Sequence, residues 1–468
     1  MKKNVVVIGA GMGGLTAALR LAREGFRVQV LEARAEAGGL ASGNVYEGFS
    51  FDAGPYILLD RPGLEWAFAS VGLKLSEHIE LRPIDHVYSV ASPGRPTVNI
   101  YSSDATTARE LDRTWAGSGE LYLRFVGKTG AIEASLRPLL YGSAPGPMSM
   151  LGGGRWRHAG FLLQSLQSVL RASRLPQPVV DALSIWTRVA GQRPEEAPSP
   201  LAFVPALVHS VGCFYPKDGI RAIPEVLARA ATAAGVEFRY RTKAKTICTE
   251  GDRVTGVEST EGERFFADAV VSDCGIATYL ELLDHKESAS QQRCEKLPLQ
   301  SPGVCAYLAV KGKMEAPYLR FLLPGGEERC RLMIRPGVMN PGEKQGEWYP
   351  ARLLGPMDHV KAQSIGPAGQ AEYLDKLLEE KWWQEGTAEY RVLARRTPAE
   401  WGAEYSLARD SMNPVMTAKF MREGRLAHRS PDIRGLYLAG SATHPGQWVS
   451  FCAISGVLVA DCLQEDFA

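Results

Sequence analysis

The chain has 468 residues, 45% of them hydrophobic and 48 of them glycine, which suits two or three folding units of α/β type with many tight turns. A net charge of +1 gives no global attraction to nucleic acid, which is excluded as a partner. The eight cysteines contain no C-x-x-C, no His/Cys cluster has zinc spacing, and no run of about 18 apolar residues occurs, so the expectation is a reduced, cytoplasmic protein with no metal and no membrane span.

Met1-Lys2-Lys3 before an apolar run has the look of a signal peptide, but the run is short and leads straight into a glycine turn. Val5 to Ile8 therefore reads as a parallel strand buried on both faces. Gly9, Gly11 and Gly14 supply G-x-G-x-x-G. The first permits a tight turn, the second lets backbone approach a pyrophosphate, and the third lets the next helix lie close to the strand. Leu15 to Glu24 carries Leu15, Ala18, Leu19 and Ala22 on one stripe, and Gly25 stops the helix. Phe26 to Leu31 is a second strand that ends at Glu32, 18 residues after Gly14. An acid there accepts the hydroxyls of an adenosine ribose and repels a 2′-phosphate, which disfavours NADP. Strand, turn, helix, strand and acid agree on a dinucleotide site. Gly38 and Gly39 suit a loop whose backbone comes close to a ligand. Phe49 to Phe51 is a short strand running into Asp52-Ala53-Gly54-Pro55.

Gly9 to Gly14, Glu32-Ala33-Arg34, Gly38-Gly39 and Asp52 to Pro55 together resemble the FAD signature of the amine oxidase and phytoene desaturase flavoproteins, and the Asp-Ala-Gly-Pro turn resembles the carotenoid desaturase branch. The resemblance implies a fold of class α/β. It comprises a Rossmann-like FAD-binding domain, with a doubly wound parallel sheet and a small antiparallel sheet, and an α+β substrate domain with a helical cap. It assigns FAD to Gly9, Gly11, Met12, Gly13, Gly14, Glu32, Ala33, Arg34, Gly38, Gly39, Leu40, Gly54 and Pro55.

A helix is expected from Gly63 to Val71, and a hairpin from Val87 to Val90 and Thr97 to Tyr101 across a Pro-Gly turn. Residues 105–214 read as mainly helical. His158 to Leu175 places Leu162, Leu166, Val169 and Leu170 on one stripe of a single helix. From Leu151 to Val180 there are four arginines (155, 157, 171 and 174), Trp156 and no acid. Such a stretch suits a bilayer interface, and equally a core-facing helix with a solvated arginine face.

Tyr215-Pro216-Lys217-Asp218-Gly219 resembles the desaturase segment where the chain returns to the FAD domain. Strands follow at Val236 to Tyr240, Ala244 to Thr249, Val254 to Glu258 and within Phe265 to Asp273; in the family the strand after the helix passes beside the adenine end, and the resemblance adds Ala244 to the cofactor set. Further strands are expected at Gly303 to Val310, Arg320 to Leu323, Arg331 to Ile334 and Arg391 to Arg396, with a helix from Gln370 to Trp383. Gly435 to Gly440 is a strand ending in glycine. Ser441-Ala442-Thr443-His444-Pro445-Gly446 and a helix from Phe451 to Leu463 follow. A small-residue turn feeding a helix offers N–H groups to a polarised oxygen. This stretch resembles the C-terminal flavin motif of the carotenoid desaturases, which adds Gly440, Ser441, Gly446 and Val449 to the cofactor set. Gln447-Trp448-Val449-Ser450 stands where the family continues with glycines, which leaves substrate identity open.

The expected domains are residues 1–85, 215–285 and 425–468 for FAD, 86–104 and 286–424 for a substrate-binding sheet, and 105–214 for a helical, membrane-associating subdomain. His444 either polarises the flavin or relays a proton, or braces the turn before the last helix. No nucleophilic triad and no telling pair of carboxylates occurs, so no other catalytic residue is named. Three functions follow. The first is an FAD-dependent oxidoreductase of the phytoene desaturase type that desaturates, isomerises or saturates a hydrophobic isoprenoid or polyene, with peripheral membrane contact. The second is a flavin amine oxidase acting on a small amine, with Trp448 as its flanking aromatic residue. The third is a catalytically silent flavin-fold assembly factor.

Overall fold

The computed structural model describes residues 3–143, 145–283, 288–312, 314–325 and 329–468. The boundary expected between 285 and 286 lies outside the described residues.

Five strands form a parallel sheet in the order Leu436–Leu438, Ala269–Ser272, Asn4–Ile8, Arg27–Leu31 and Glu237–Arg239. Val5 and Val7 face one core and Val6 and Ile8 the other, which is why this strand is apolar at every position. The first helix, Met12–Arg23, buries Leu15, Ala18 and Leu19 on one face of the sheet. The last helix, Val449–Phe467, packs against it. Gly456 allows that approach, because a Cβ there would lie 2.4 Å from the Gly13 carbonyl oxygen and 2.7 Å from the Thr16 Cβ. A three-stranded antiparallel sheet of Ala244–Glu250, Arg253–Ser259 and Arg264–Phe266 covers the other face.

A seven-stranded sheet runs Thr387–Arg396, Val304–Gly312, Trp348–Gly355, Arg331–Ile334, Leu319–Leu322, His86–Ser92 and Arg95–Tyr101. It is mixed, because Leu319–Leu322 pairs parallel to His86–Ser92. The strand Trp348–Gly355 was not expected. It contains Pro350 and ends in Gly355-Pro356, which masks its alternation. Its Arg352 is 1% exposed and donates through Nη2 to the Ala53 carbonyl at 2.8 Å, which fastens this sheet to the Asp52–Pro55 turn.

Two helix expectations are corrected. His158 to Leu175 is not continuous. A short helix, Ala159–Leu162, stops, and Ser165 caps a new one, Leu166–Ala172, through a bond from Ser168 N at 3.2 Å. Leu166 and Leu170 are buried as the stripe requires. The helix expected from Gln370 instead spans His359–Glu379, with a break at Gly366 (φ 61°) before Pro367, and Trp382–Gln384 is a separate turn. No described helix is long and apolar enough to cross a membrane.

Gly456→Ala tests the helix contact. Three backbone or short side-chain atoms lie under 3.0 Å from the added carbon, so the helices must separate. The expected loss is about 1–3 kcal/mol of stability, read as a lower denaturation midpoint in urea.

Candidate functional site

The carboxyl ends of the parallel strands meet at the glycine turn. Gly9 takes φ +93°, a region open to glycine at little cost. A Cβ on Gly14 would sit 2.1 Å from the Gly9 carbonyl oxygen, and one on Gly13 would sit 2.6 Å from Gly440 N. The turn is thus closed on two sides by backbone, and Met12 opens the helix as a buried residue. The Gly38–Gly39 loop folds over the turn. Gly38 N donates to the Ala10 carbonyl at 2.7 Å, and a Cβ on Gly39 would lie 3.2 Å from Gly11 Cα.

Glu32 is 6% exposed at the end of the second strand. Its carboxylate accepts from Ala10 N and Arg34 N, both at 2.8 Å, which aims the acid across the turn. Ala33 is exposed. Arg34 donates to Ser42 Oγ at 2.8 Å and lies over the Tyr405 ring at 4.4 Å, so it braces the loop. The chain after Glu237–Arg239 crosses the same strand end, where Thr242 N donates to the Glu32 carbonyl at 2.9 Å. Ala244 begins the next strand just beyond.

Gly54 N donates to the Leu40 carbonyl at 2.9 Å, which brings Leu40, Gly54 and half-buried Pro55 to one wall. Asp52 holds that wall from behind, accepting from Tyr215 Oη at 2.8 Å and Ile220 N at 2.7 Å. Burial pushes the Asp52 carboxyl pKa up. The Asp-Ala-Gly-Pro and Tyr-Pro-x-x-Gly motifs are therefore two halves of one contact.

Gly440, half-buried Ser441, Gly446 and buried Val449 lie at the other side of the turn. Ser455 on the last helix fixes this loop: its Oγ accepts from Gly440 N at 2.9 Å and lies 2.7 Å from Thr443 Oγ1. His444 Nε2 lies 2.9 Å from the Leu139 carbonyl and donates to it. Burial pushes the imidazole pKa down to about 4, so the ring is neutral near pH 7 and its Nε2 proton is committed to the helical segment. Trp448 stacks on Phe451 of its own helix, with ring centroids 4.8 Å apart.

Sequence reasoning missed four residues here. Asp60 is buried where Ser450 Oγ donates to it at 3.0 Å and Arg137 Nη1 at 2.8 Å, so it ties the last helix to the helical segment. Arg352 gave no signal, because nothing marks a strand arginine as buried. Arg425 points at Gly446, with its Nη2 2.8 Å from where a side chain would begin, and burial pushes its pKa down to about 10. Asp273 accepts from Gly14 N at 2.9 Å. Its signal was available: it follows the buried strand Ala269–Ser272 as Glu32 follows the second, and ligands in such sheets sit at the carboxyl ends of strands.

Comparison with known proteins fits this geometry. Residues 7–68 match the model of an NAD(P)-binding Rossmann-like domain, and residues 201–464 match the model of flavin-containing amine oxidoreductases. A zeta-carotene-forming phytoene desaturase of Myxococcus xanthus is 28% identical over 98% of this chain and 94% of its own. A lycopene-forming phytoene desaturase of Pseudescherichia vulneris is 26% identical over 99% of each chain. Among solved structures, an oxidoreductase from Methanosarcina mazei has a TM-score of 0.68 at 17% identity, over 98% of this chain and 100% of its own. A putrescine oxidase bound to putrescine has a TM-score of 0.63 at 15% identity over 99% of each chain. These two show the fold alone.

The residues present fit FAD. The glycine cradle leaves room for backbone to approach a pyrophosphate, and Glu32 sets a carboxylate at the end of the second strand, the residue type that accepts ribose hydroxyls there. Glu32→Ala leaves Ala10 N and Arg34 N without their acceptor, so FAD should bind more weakly by about 1–3 kcal/mol, read from flavin fluorescence on titration.

Proposed function

This chain belongs to the flavin-containing amine oxidoreductases and is an FAD-dependent oxidoreductase of the phytoene desaturase type, and from that premise we propose that it desaturates a hydrophobic isoprenoid or polyene. The observation that carries this reading is the end-to-end similarity to proteins named phytoene desaturases. We assign residues 1–85, 215–285 and 425–468 to holding FAD, 86–104 and 286–424 to a substrate-facing sheet, and 105–214 to a cap.

FAD, when bound, supplies the acceptor for the electrons and hydrogen that leave a substrate C–H bond. The chain's own residues position and enclose. The glycine turn, Glu32 and the Gly38–Gly39 loop hold the cofactor. Asp60 with Arg137, and His444 with Leu139, seat the cap over the last helix and keep water from the reacting carbons. A neutral His444 places no charge beside a hydrocarbon. Organic extraction of purified protein, followed by mass spectrometry, should recover an isoprenoid, and turnover should remove one pair of hydrogens per cycle. Oxidation of a small amine in its place would overturn the reading in favour of an amine oxidase.

The surface of the cap supports membrane delivery of such a substrate. Met148, Leu151, Trp156 and Leu163 are 78%, 60%, 62% and 67% exposed within one short stretch. Arg157, Arg171 and Arg174 are exposed nearby, whereas Arg155 turns inward to the Ser149 and Ser135 carbonyls. Exposed apolar side chains and exposed arginines within one stretch of the chain suit an anionic bilayer surface, with each arginine contributing on the order of 1 kcal/mol. Liposomes of anionic lipid should therefore carry the protein down on sedimentation at low salt, and less of it at high salt. Replacing Leu151, Trp156 and Leu163 by serine should abolish this, and reversing Arg157, Arg171 and Arg174 to glutamate should do the same. Equal sedimentation of wild type and both variants would rule the patch out.

A further inference from the structure

Gly11 leaves out a side chain where a pyrophosphate must come close, and the structure finds a carboxylate sharing that room. A Cβ on Gly11 would lie 2.4 Å from Asp273 Oδ2, one on Gly13 2.7 Å from Oδ1, and one on Gly440 2.0 Å from Oδ1. Asp273 Oδ2 accepts from Gly14 N at 2.9 Å, the kind of first-turn N–H that a bound phosphate uses. The side chain is held there by its own backbone, since Asp273 N donates to the Ile8 carbonyl at 2.9 Å.

The charged and titratable groups facing it are few. Glu32 comes from the second strand, Cys274 from its own segment and Cys452 from the last helix. The first turn of the first helix contributes no acid, and the strand Leu436–Leu438 and Gly440 contribute backbone. Burial above all, with Glu32 adding to it against the Gly14 hydrogen bond, pushes the carboxyl pKa up to about 7. Two anions share one turn and its N–H groups only at high cost unless one of them takes a proton, as in paired carboxylates.

We propose that Asp273 is a cofactor-binding residue that stands as the neutral carboxylic acid when the FAD pyrophosphate occupies the glycine turn, so that FAD uptake above neutral pH draws one proton from solvent. As the acid it donates a hydrogen bond to a phosphate oxygen, where as the carboxylate it would repel one. The sign follows. Below about pH 7 the group already carries its proton, and binding is insensitive to pH. Above it, affinity falls by up to about tenfold for each unit of pH, because a proton must be taken up with the ligand.

This inference rests on FAD being the ligand, and binding, not turnover, tests it. Apoprotein of the full chain is titrated with FAD between about pH 6 and about pH 8.5, following flavin fluorescence, for wild type and Asp273→Asn. Calorimetry in two buffers of different ionisation enthalpy counts protons. Wild type should bind more weakly as pH rises and take up close to one proton at the alkaline end. Asp273→Asn, which keeps an oxygen for Gly14 N, should bind with a flat profile and no uptake. A flat wild-type profile, no proton uptake by wild type, or an unchanged slope in the asparagine variant would each overturn the proposal. Should Asp273→Asn not fold, the proton count of wild type alone decides. Binding of NADH but not FAD by wild type at every pH would instead remove the FAD assignment, and this inference with it.

Discussion

The parallel sheet is closed by a contact that only glycine permits. Gly13 touches both Gly440 and Gly456: a Cβ on Gly13 would lie 2.6 Å from Gly440 N, and one on Gly456 would lie 2.4 Å from the Gly13 carbonyl oxygen. Through that contact the last helix lies along the first, and the turn at Gly440–Gly446 is brought opposite the turn at Gly9–Gly14. The cofactor set named above is therefore a property of the join between the two ends of the chain. Glycines usually cost stability through chain entropy. Here that cost is offset by apolar burial along the helix pair, where Leu15, Leu19, Ile454, Val457 and Leu458 are all buried.

Buried carboxylates then arrange the other units around the sheet. Asp52 joins the Gly54 wall to Tyr215 and Ile220, and Asp60 joins the last helix to Arg137. Each is satisfied by more than one donor, which is what makes a buried acid tolerable. Asp273 differs, being half-buried with one backbone donor and an acid neighbour. A carboxyl group with a perturbed pKa beside a glycine turn is the kind of group that concentrates where a ligand is met.

The first 54 residues were legible because each motif states a backbone need: φ > 0 at Gly9, close approach at Gly11 to Gly14, an acid at a strand end. The C-terminal turn was legible for the same reason. The seven-stranded sheet was less so. Trp348–Gly355 hides its alternation behind Pro350 and a buried arginine, and it sits inside the sheet between Val304–Gly312 and Arg331–Ile334. The stripe found buried Leu166 and Leu170 but the wrong helix, because periodicity survives a break that a serine cap and a strand-like bridge to Pro198 impose. Arg425 and Asp60 escaped notice because lone charged residues are solvated far more often than buried.

The order of the parallel sheet bears on how the protein is made. Its first strand has the second strand on one side and Ala269–Ser272 on the other, with Leu436–Leu438 beyond that. On the ribosome, the first strand, glycine turn and first helix emerge early, but their neighbours on one side are more than half the chain away. Until Gly440 and Gly456 have left the exit tunnel, one wall of the turn does not exist. A dinucleotide held at this turn therefore depends on the docking of the helix Val449–Phe467, however early the first strand and its glycines appear.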